Sequence, residues 1–118
     1  MKSYFLFVFC LLISQQIVAQ NDSKLKQKVI VDNEHVKVTE FVSNPGKDLC
    51  GLGKHSHGAH LTVLLADVTV TVTLPDGKVV TQKMSSGTTF WSEPETHTII
   101  NSGTSVAKAQ IIEYKKKK

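Results

Sequence analysis

The feature that most constrains the fold is a run of strict alternation, VTVTVTL, at residues 68–74. Valine or leucine occupies every second position and threonine lies between, a pattern typical of a half-buried β-strand. The next residues, PDGK, are typical of a turn, because proline presets φ, aspartate binds its own backbone and glycine accepts a positive φ. VVTQKM then follows, so residues 68–84 predict a β-hairpin.

The same pattern of short apolar runs separated by turn residues continues along the chain. It predicts about eight strands, with no helical periodicity between them and a loop, SNPGKDLCGLG, near the middle. This pattern favours an all-β sandwich or barrel of antiparallel strands. The predicted strands cover residues 28–31, 35–42, 61–65, 68–74, 79–84, 88–91, 97–101 and 106–114.

The N-terminal residues 1–19 have the layout of a secretory signal peptide: a lysine, a short apolar centre and a small residue at the end. The apolar centre is too short for a membrane span, which needs about 20 apolar residues. We therefore expect cleavage after Ala19 or Gln20 and export to the periplasm or the extracellular space. One small domain, residues 28–114, and a basic tail, residues 115–118, would remain, with Cys50 as the one cysteine of the mature chain.

The formal net charge of +4 is carried by Lys2 and the lysine tail, so the body of the domain has a net charge close to −1. Basic residues interleaved with aromatic ones are absent, which argues against a nucleic-acid partner. A small-molecule ligand stays open as a partner. A homodimer also stays open, since an edge strand at 28–31 can pair between chains.

Histidines are concentrated in GKHSHGAH, at residues 53–60. In an extended chain His55 and His57 point to one face, and two neutral imidazoles on one face suit a divalent transition metal. His60 falls on the opposite face of a regular strand, and on the same face only if the strand bends. His97 is distant in sequence, and a strand-borne pair plus one distant histidine is how a sheet builds a metal site. His35, isolated at a strand start, has no such partner.

Two longer motifs resemble those of small single-domain cupins, over residues 36–114. PGKDLCGLGKHSHGAHLTVLL matches the glycine and HxH of the first cupin motif, and GTTFWSEPETHTIIN matches the second, with Gly87, Pro94, His97 and Asn101. TLPDGK matches the hairpin that connects them. The resemblance implies a jelly-roll barrel that holds a divalent transition metal (Zn, Fe, Mn, Ni or Cu) on His55, His57 and His97.

The chain departs from this family at one position. The family's glutamate would fall at residue 61 or 62, where this sequence has Leu61 and Thr62. His60 is the nearest replacement ligand. The loss removes the two-histidine, one-carboxylate set of non-haem iron oxygenases, although three imidazoles can still hold a catalytic metal.

Several neighbouring residues have two interpretations. Asn101, four residues beyond His97, either orients that ring or lies at a turn edge. Trp91 and Phe90 either form the wall of a cavity or belong to the core. Glu93 and Glu95 flank Pro94 and either lie in a solvated turn, the favoured interpretation, or bring one carboxylate to the metal. No direction is predicted for Cys50.

Three functions follow as hypotheses. The first is an exported metalloenzyme that polarises a small substrate at an open coordination position. The second is a non-catalytic module that binds a metal, a small ligand or a partner. In the third, the histidines hold no metal at all.

Overall fold

The computed structural model describes residues 25–117, so the predicted signal peptide and Lys118 lie outside the described residues. The described chain forms nine β-strands and no helix. The strands are β1 Lys26–Asp32, β2 Val36–Ser43, β3 His55–His57, β4 His60–Leu64, β5 Val68–Thr73, β6 Val79–Met84, β7 Thr89–Ser92, β8 Glu95–Asn101 and β9 Ala107–Tyr114. All eight predicted strands are present, with boundaries shifted by a few residues, and β3 is an additional one.

The strands form two antiparallel sheets, with orders β1-β2-β9-β4-β7 and β3-β8-β5-β6. Side chains of both sheets meet in one core, which includes Phe41, Leu64, Val70 and Ile111. The predicted all-β jelly-roll architecture is confirmed. The two sheets remain separate along residues 25–117 instead of closing into the expected barrel, since no strand belongs to both.

The hairpin of β5 and β6 forms as the alternating sequence predicts. Val68 and Val70 are buried, whereas the Thr71 and Thr81 hydroxyls lie on the other face, 3.1 Å apart. In the turn, the Lys78 N–H donates to Asp76 Oδ1 at 2.9 Å, and Gly77 adopts a φ of 87°. Proline, aspartate and glycine therefore perform the roles that their chemistry predicts.

The chain changes sheets directly after the HxH sequence. β3 belongs to the four-stranded sheet and β4 to the five-stranded one, and only Gly58 and Ala59 lie between them. His57 and His60 are thus on different strands that face each other, so the alternation rule of a single strand does not apply to this pair.

Candidate metal centre

Pairing of β3 with β8 places most of the candidate ligands on one face of the four-stranded sheet. In the antiparallel register of β3 and β8, His55 lies opposite His97, and His57 lies opposite Glu95. Because side chains alternate along both strands, these four residues share one face. On the other face, the hydroxyls of Ser56 and Thr96 are 2.7 Å apart.

A fourth side chain that could bind a metal comes from the loop before β3. Cys50 has a left-handed backbone, with a φ of 58°, and its Sγ lies 3.4 Å from His55 Nε2 and 3.7 Å from His97 Nε2. The two Nε2 atoms are themselves 3.1 Å apart. One donor atom from each member of the group lies within 4.8 Å of every other; the group consists of Cys50, His55, His57 and His97. We call these four residues the His/Cys cluster.

The spacing of the donors fits a tetrahedral ion. With Zn–N bonds of about 2.0–2.1 Å and a Zn–S bond of about 2.3 Å, tetrahedral geometry separates two nitrogens by about 3.4 Å and sulfur from nitrogen by about 3.6 Å. The observed separations are 3.1 Å for His55 to His97 and 3.4 and 3.7 Å for Cys50 to the two imidazoles. The donors of Cys50, His55 and His97 therefore have the spacing of a metal ion of this size, and the His57 donor lies within 4.8 Å of each of them.

The hydrogen bonds of the imidazoles leave lone pairs directed at this space. His55 Nδ1 donates to the Gly53 carbonyl at 2.9 Å, which leaves Nε2 as the lone-pair nitrogen of the neutral ring. His97 Nδ1 lies 3.7 Å from Glu95 Oε1. His57 Nε2 is buried and has no hydrogen-bond partner among the described residues. A buried nitrogen without a hydrogen-bond partner, such as His57 Nε2, is costly unless a cation or a proton lies beside it.

Burial favours the neutral, metal-binding form of His57 and His97. Burial, reinforced by His55, His60 and His97, lowers the pKa of His57 to about 4. Burial likewise lowers the pKa of His97, against the opposing effect of the Glu95 carboxylate. Burial raises the pKa of the Cys50 thiol to about 12, with Glu95 and Asp48 acting in the same direction. Binding of a cation at the thiol would therefore release its proton.

His60, the proposed replacement for the missing glutamate, lies beside the His/Cys cluster and is not one of its members. It is 2% exposed, and its Nδ1 donates to the Gly58 carbonyl at 2.7 Å. Its ring centroid is 5.1 Å from that of His57, and its Nε2 is 3.8 Å from Glu95 Oε1. His60 thus faces the carboxylate of Glu95.

Cys50 and Glu95 are the residues that sequence reasoning undervalued. The expectation of a solvated turn was wrong for Glu95, whose side chain shares a face with His97. The spacing of two residues between Glu95 and His97 was the available signal, since both lie in one extended strand. For Cys50 no local pattern was informative, because a left-handed residue in a glycine-rich loop sets its direction.

Of the two interpretations of Asn101, the structure does not show the one in which its side chain orients His97. Asn101 is 1% exposed, and its Nδ2 donates to the carbonyls of Ser43 and Ser105 at 2.9 and 2.8 Å. Its Oδ1 accepts from the Gly103 N–H at 3.1 Å. The amide is fully used in joining two loops, so it has no N–H left to orient an imidazole.

Trp91 does not form part of a cavity wall either. It is 50% exposed, its Nε1 donates to Glu93 at 3.0 Å, and its ring lies near that of Tyr114. Alternation along β7 turns the neighbouring Phe90 and Ser92 inward instead. The correct aromatic wall residue is therefore Phe90.

A cavity of about 260 Å³ lies between the two sheets and reaches the His/Cys cluster. Its wall is mostly aliphatic, and at one side it includes His60, Thr62, Ser92, Glu95 and His97.

In residues 25–117, no helix is long and apolar enough to cross a membrane.

No protein-family model and no curated protein matches the sequence. Solved structures do. A cupin domain from Bordetella pertussis Tohama I is 29% identical, with a TM-score of 0.70, over 78% of this chain and 94% of that one.

Two further structures share the fold at lower identity. An RmlC-like cupin with a double-stranded β-helix fold from Methanocaldococcus jannaschii is 16% identical, with a TM-score of 0.61, over 81% and 84% of the two chains. A cupin superfamily protein from Desulfitobacterium hafniense is 14% identical, with a TM-score of 0.58, over 79% of each chain.

Proposed function

Since the chain is a small cupin-type domain, we propose that it is a metal-binding protein that holds one divalent transition-metal ion on three imidazoles and a thiolate: His55, His57, His97 and Cys50. One observation carries the proposal, namely that donor atoms from a loop and two strands converge within 4.8 Å. Residues 47 positions apart in sequence supply two of them, Cys50 and His97. A thiolate among the ligands favours Zn or Cu over harder cations.

The donor set supports binding more than turnover. Four protein ligands complete a tetrahedral shell, as in structural zinc sites, whereas catalytic sites keep an open position. The carbonyl of Gly53 holds the His55 ring in place, and Glu95 lies beside His97, as partners of metal-binding histidines commonly do. A bound metal ion would supply positive charge that stabilises the donor atoms held close together in the cluster.

The test is metal content followed by cobalt substitution. We expect about one equivalent of metal per chain by elemental analysis, and a thiolate-to-cobalt charge-transfer band in the near ultraviolet. His97→Ala should lower the affinity at least tenfold, and Cys50→Ser should abolish the band. His35→Ala is the matched control, because His35 is exposed and pairs with Glu34 outside the site.

Two outcomes would overturn the proposal. One is a wild-type protein that binds no stoichiometric metal when Zn, Fe, Mn, Ni and Cu are offered. The other is metal binding that His97→Ala and His35→Ala change equally.

A second candidate function, catalysis at the same metal, is favoured by the cavity, which reaches His97 and has the Glu95 carboxylate on its wall. It requires an exchangeable coordination position. Addition of azide should then change the visible spectrum of the cobalt form, and substrate turnover should depend on the metal. A spectrum that azide leaves unchanged supports the closed binding site.

The predicted signal peptide adds a proposal about location, that the domain acts after export. The N-terminal pattern of residues 1–19 supports it. Mass spectrometry of the protein recovered from its native cells should give a chain that begins at Gln20 or Asn21. A chain that retains Met1 or Lys2 would contradict it.

A further inference from the structure

The cavity between the sheets differs in character from the His/Cys cluster that it adjoins. Inward-facing residues of both sheets form a hydrocarbon wall, among them Leu64, Val70, Val72, Met84, Phe90 and Ile111. Its volume of about 260 Å³ is near the lower end of small-molecule sites, which start at about 300 Å³. A mostly apolar space of this size fits the body of a small hydrocarbon-rich molecule.

On the polar side of the cavity, near the hydroxyls of Thr62 and Ser92, His60 and Glu95 face each other. His60 Nδ1 donates to the Gly58 carbonyl, which leaves Nε2 as the acceptor of an imidazole with one N–H. The facing Glu95 Oε1, also an acceptor, is 3.8 Å away, too far for a direct hydrogen bond. The described lining holds no lysine or arginine. These two acceptors, one of them a carboxylate, therefore favour a ligand group that donates between them, and the absence of a cationic side chain disfavours an anion there.

We propose that the cavity binds a small neutral molecule with a hydrocarbon body and a hydrogen-bond-donating end, such as an alcohol, with that end between His60 and Glu95. The inference deepens the proposed function, on which it rests, since this end lies beside the His/Cys cluster. Burial of the ligand's hydrocarbon body supplies most of the binding affinity. The His60 and Glu95 acceptors determine which end group is bound.

Hexan-1-ol, butan-1-ol and hexanoate are suitable probes, titrated into the full protein while methyl signals are followed by NMR. Two additional buried methylene groups should make hexan-1-ol bind about tenfold more tightly than butan-1-ol. Hexanoate has the same chain but an anionic end without a donor. We expect it to bind at least tenfold more weakly than hexan-1-ol.

Variants on β9 locate the binding site. Ala109 lines the cavity, so Ala109→Leu should fill it and remove most of the hexan-1-ol affinity. Gln110→Leu is the matched control, because alternation turns the next residue outward; it should leave the affinity unchanged. If Ala109→Leu does not fold, Val80→Phe on the opposite sheet serves the same purpose. His60→Leu should lower the affinity for hexan-1-ol severalfold while the chain-length effect remains.

The results separate this inference from the metal proposal, because the titrations are run on both metal-free and metal-loaded protein. Equal affinity for the two alcohols, tighter binding of hexanoate, or equal effects of Ala109→Leu and Gln110→Leu would overturn the ligand inference and leave the metal proposal standing. Alcohol binding as expected in a protein that retains no metal would sustain the ligand inference while the metal proposal fails.

Discussion

At the residue scale, the cluster depends on close packing behind its ligands. Gly51 lies directly against the His55 ring, and a Cβ built there would lie 2.6 Å from Nδ1. The same nitrogen donates to the Gly53 carbonyl. A residue with no side chain is therefore required behind the ring, and the requirement comes from contact with the imidazole.

Gly51→Ala should displace the His55 ring and weaken metal binding by about tenfold or more, the cost usual for losing the support of a metal ligand. Gly51 is not one of the core residues, so the free energy of unfolding of the metal-free protein should change little. Competition with a zinc-sensitive dye measures the affinity. Gly58→Ala is the control, since a Cβ there meets nothing within 4 Å. Equal affinities of the two variants would contradict the prediction.

At the scale of secondary structure, β8 carries two separate functions at its two ends. Glu95 and His97 at its beginning face the cluster, whereas Asn101 at its end holds the loops after β2 and β8. Among the described residues, the two ends share no side-chain contact. A change at Asn101 would therefore affect metal binding only if it moved β8 as a whole.

Asn101→Ala should lower the free energy of unfolding by about 2–4 kcal/mol, because three hydrogen bonds are lost and buried carbonyl groups are left unsatisfied. Metal stoichiometry should remain that of the wild type, since Asn101 does not hold His97. Urea denaturation and elemental analysis are the two measurements. A stable variant that loses its metal would instead support the orienting role that the sequence suggested.

At the scale of the whole molecule, uncharged histidines inside the fold make its stability depend on pH. Burial and neighbouring imidazoles lower the pKa of His57 from 6.5 to about 4. As the pH falls from 6.5 to 4, the unfolded chain takes up a proton that the folded chain does not. Folding stability is therefore fully present above pH 6.5 and decreases across this window.

Metal-free protein should accordingly have a lower free energy of unfolding at pH 5 than at pH 7.5, and His57→Asn should reduce the difference. His35→Asn, at an exposed position, should retain it. Denaturation in urea with a chelator present measures both. Bound metal should raise the melting temperature at neutral pH, since it binds the folded state. An identical pH dependence in wild type and His57→Asn would refute this assignment.

The other molecular-scale prediction concerns β1. Its seven residues are all exposed, including Val29, Ile30 and Val31, and it pairs with β2 along one edge only among residues 25–117. An apolar edge strand of this kind favours pairing with a second copy. We expect a dimer by light scattering that Ile30→Lys converts to a monomer, whereas Gln27→Lys on the same strand does not. A wild-type monomer at all concentrations would contradict this prediction.

Local chemistry was enough to predict much of the molecule. Alternation at residues 68–74 and the PDGK turn specify a hairpin because side-chain direction and turn conformation depend on neighbours in the chain. The spacing of His55 and His57 places both imidazoles on one face for the same reason. His97 was a candidate as the distant third histidine, the cupin resemblance supported it, and the antiparallel register of β3 and β8 brings it opposite His55.

Tertiary structure alone decided which other groups meet there. Cys50 enters the cluster through a left-handed loop residue, and His60 stands apart because the chain changes sheets after Gly58 and Ala59. Asn101 is committed to loops that approach it from elsewhere in the sequence. Sequence period determines the face on which a side chain lies, but its contacts depend on how the two sheets are packed, and long-range packing leaves no periodic trace in the chain.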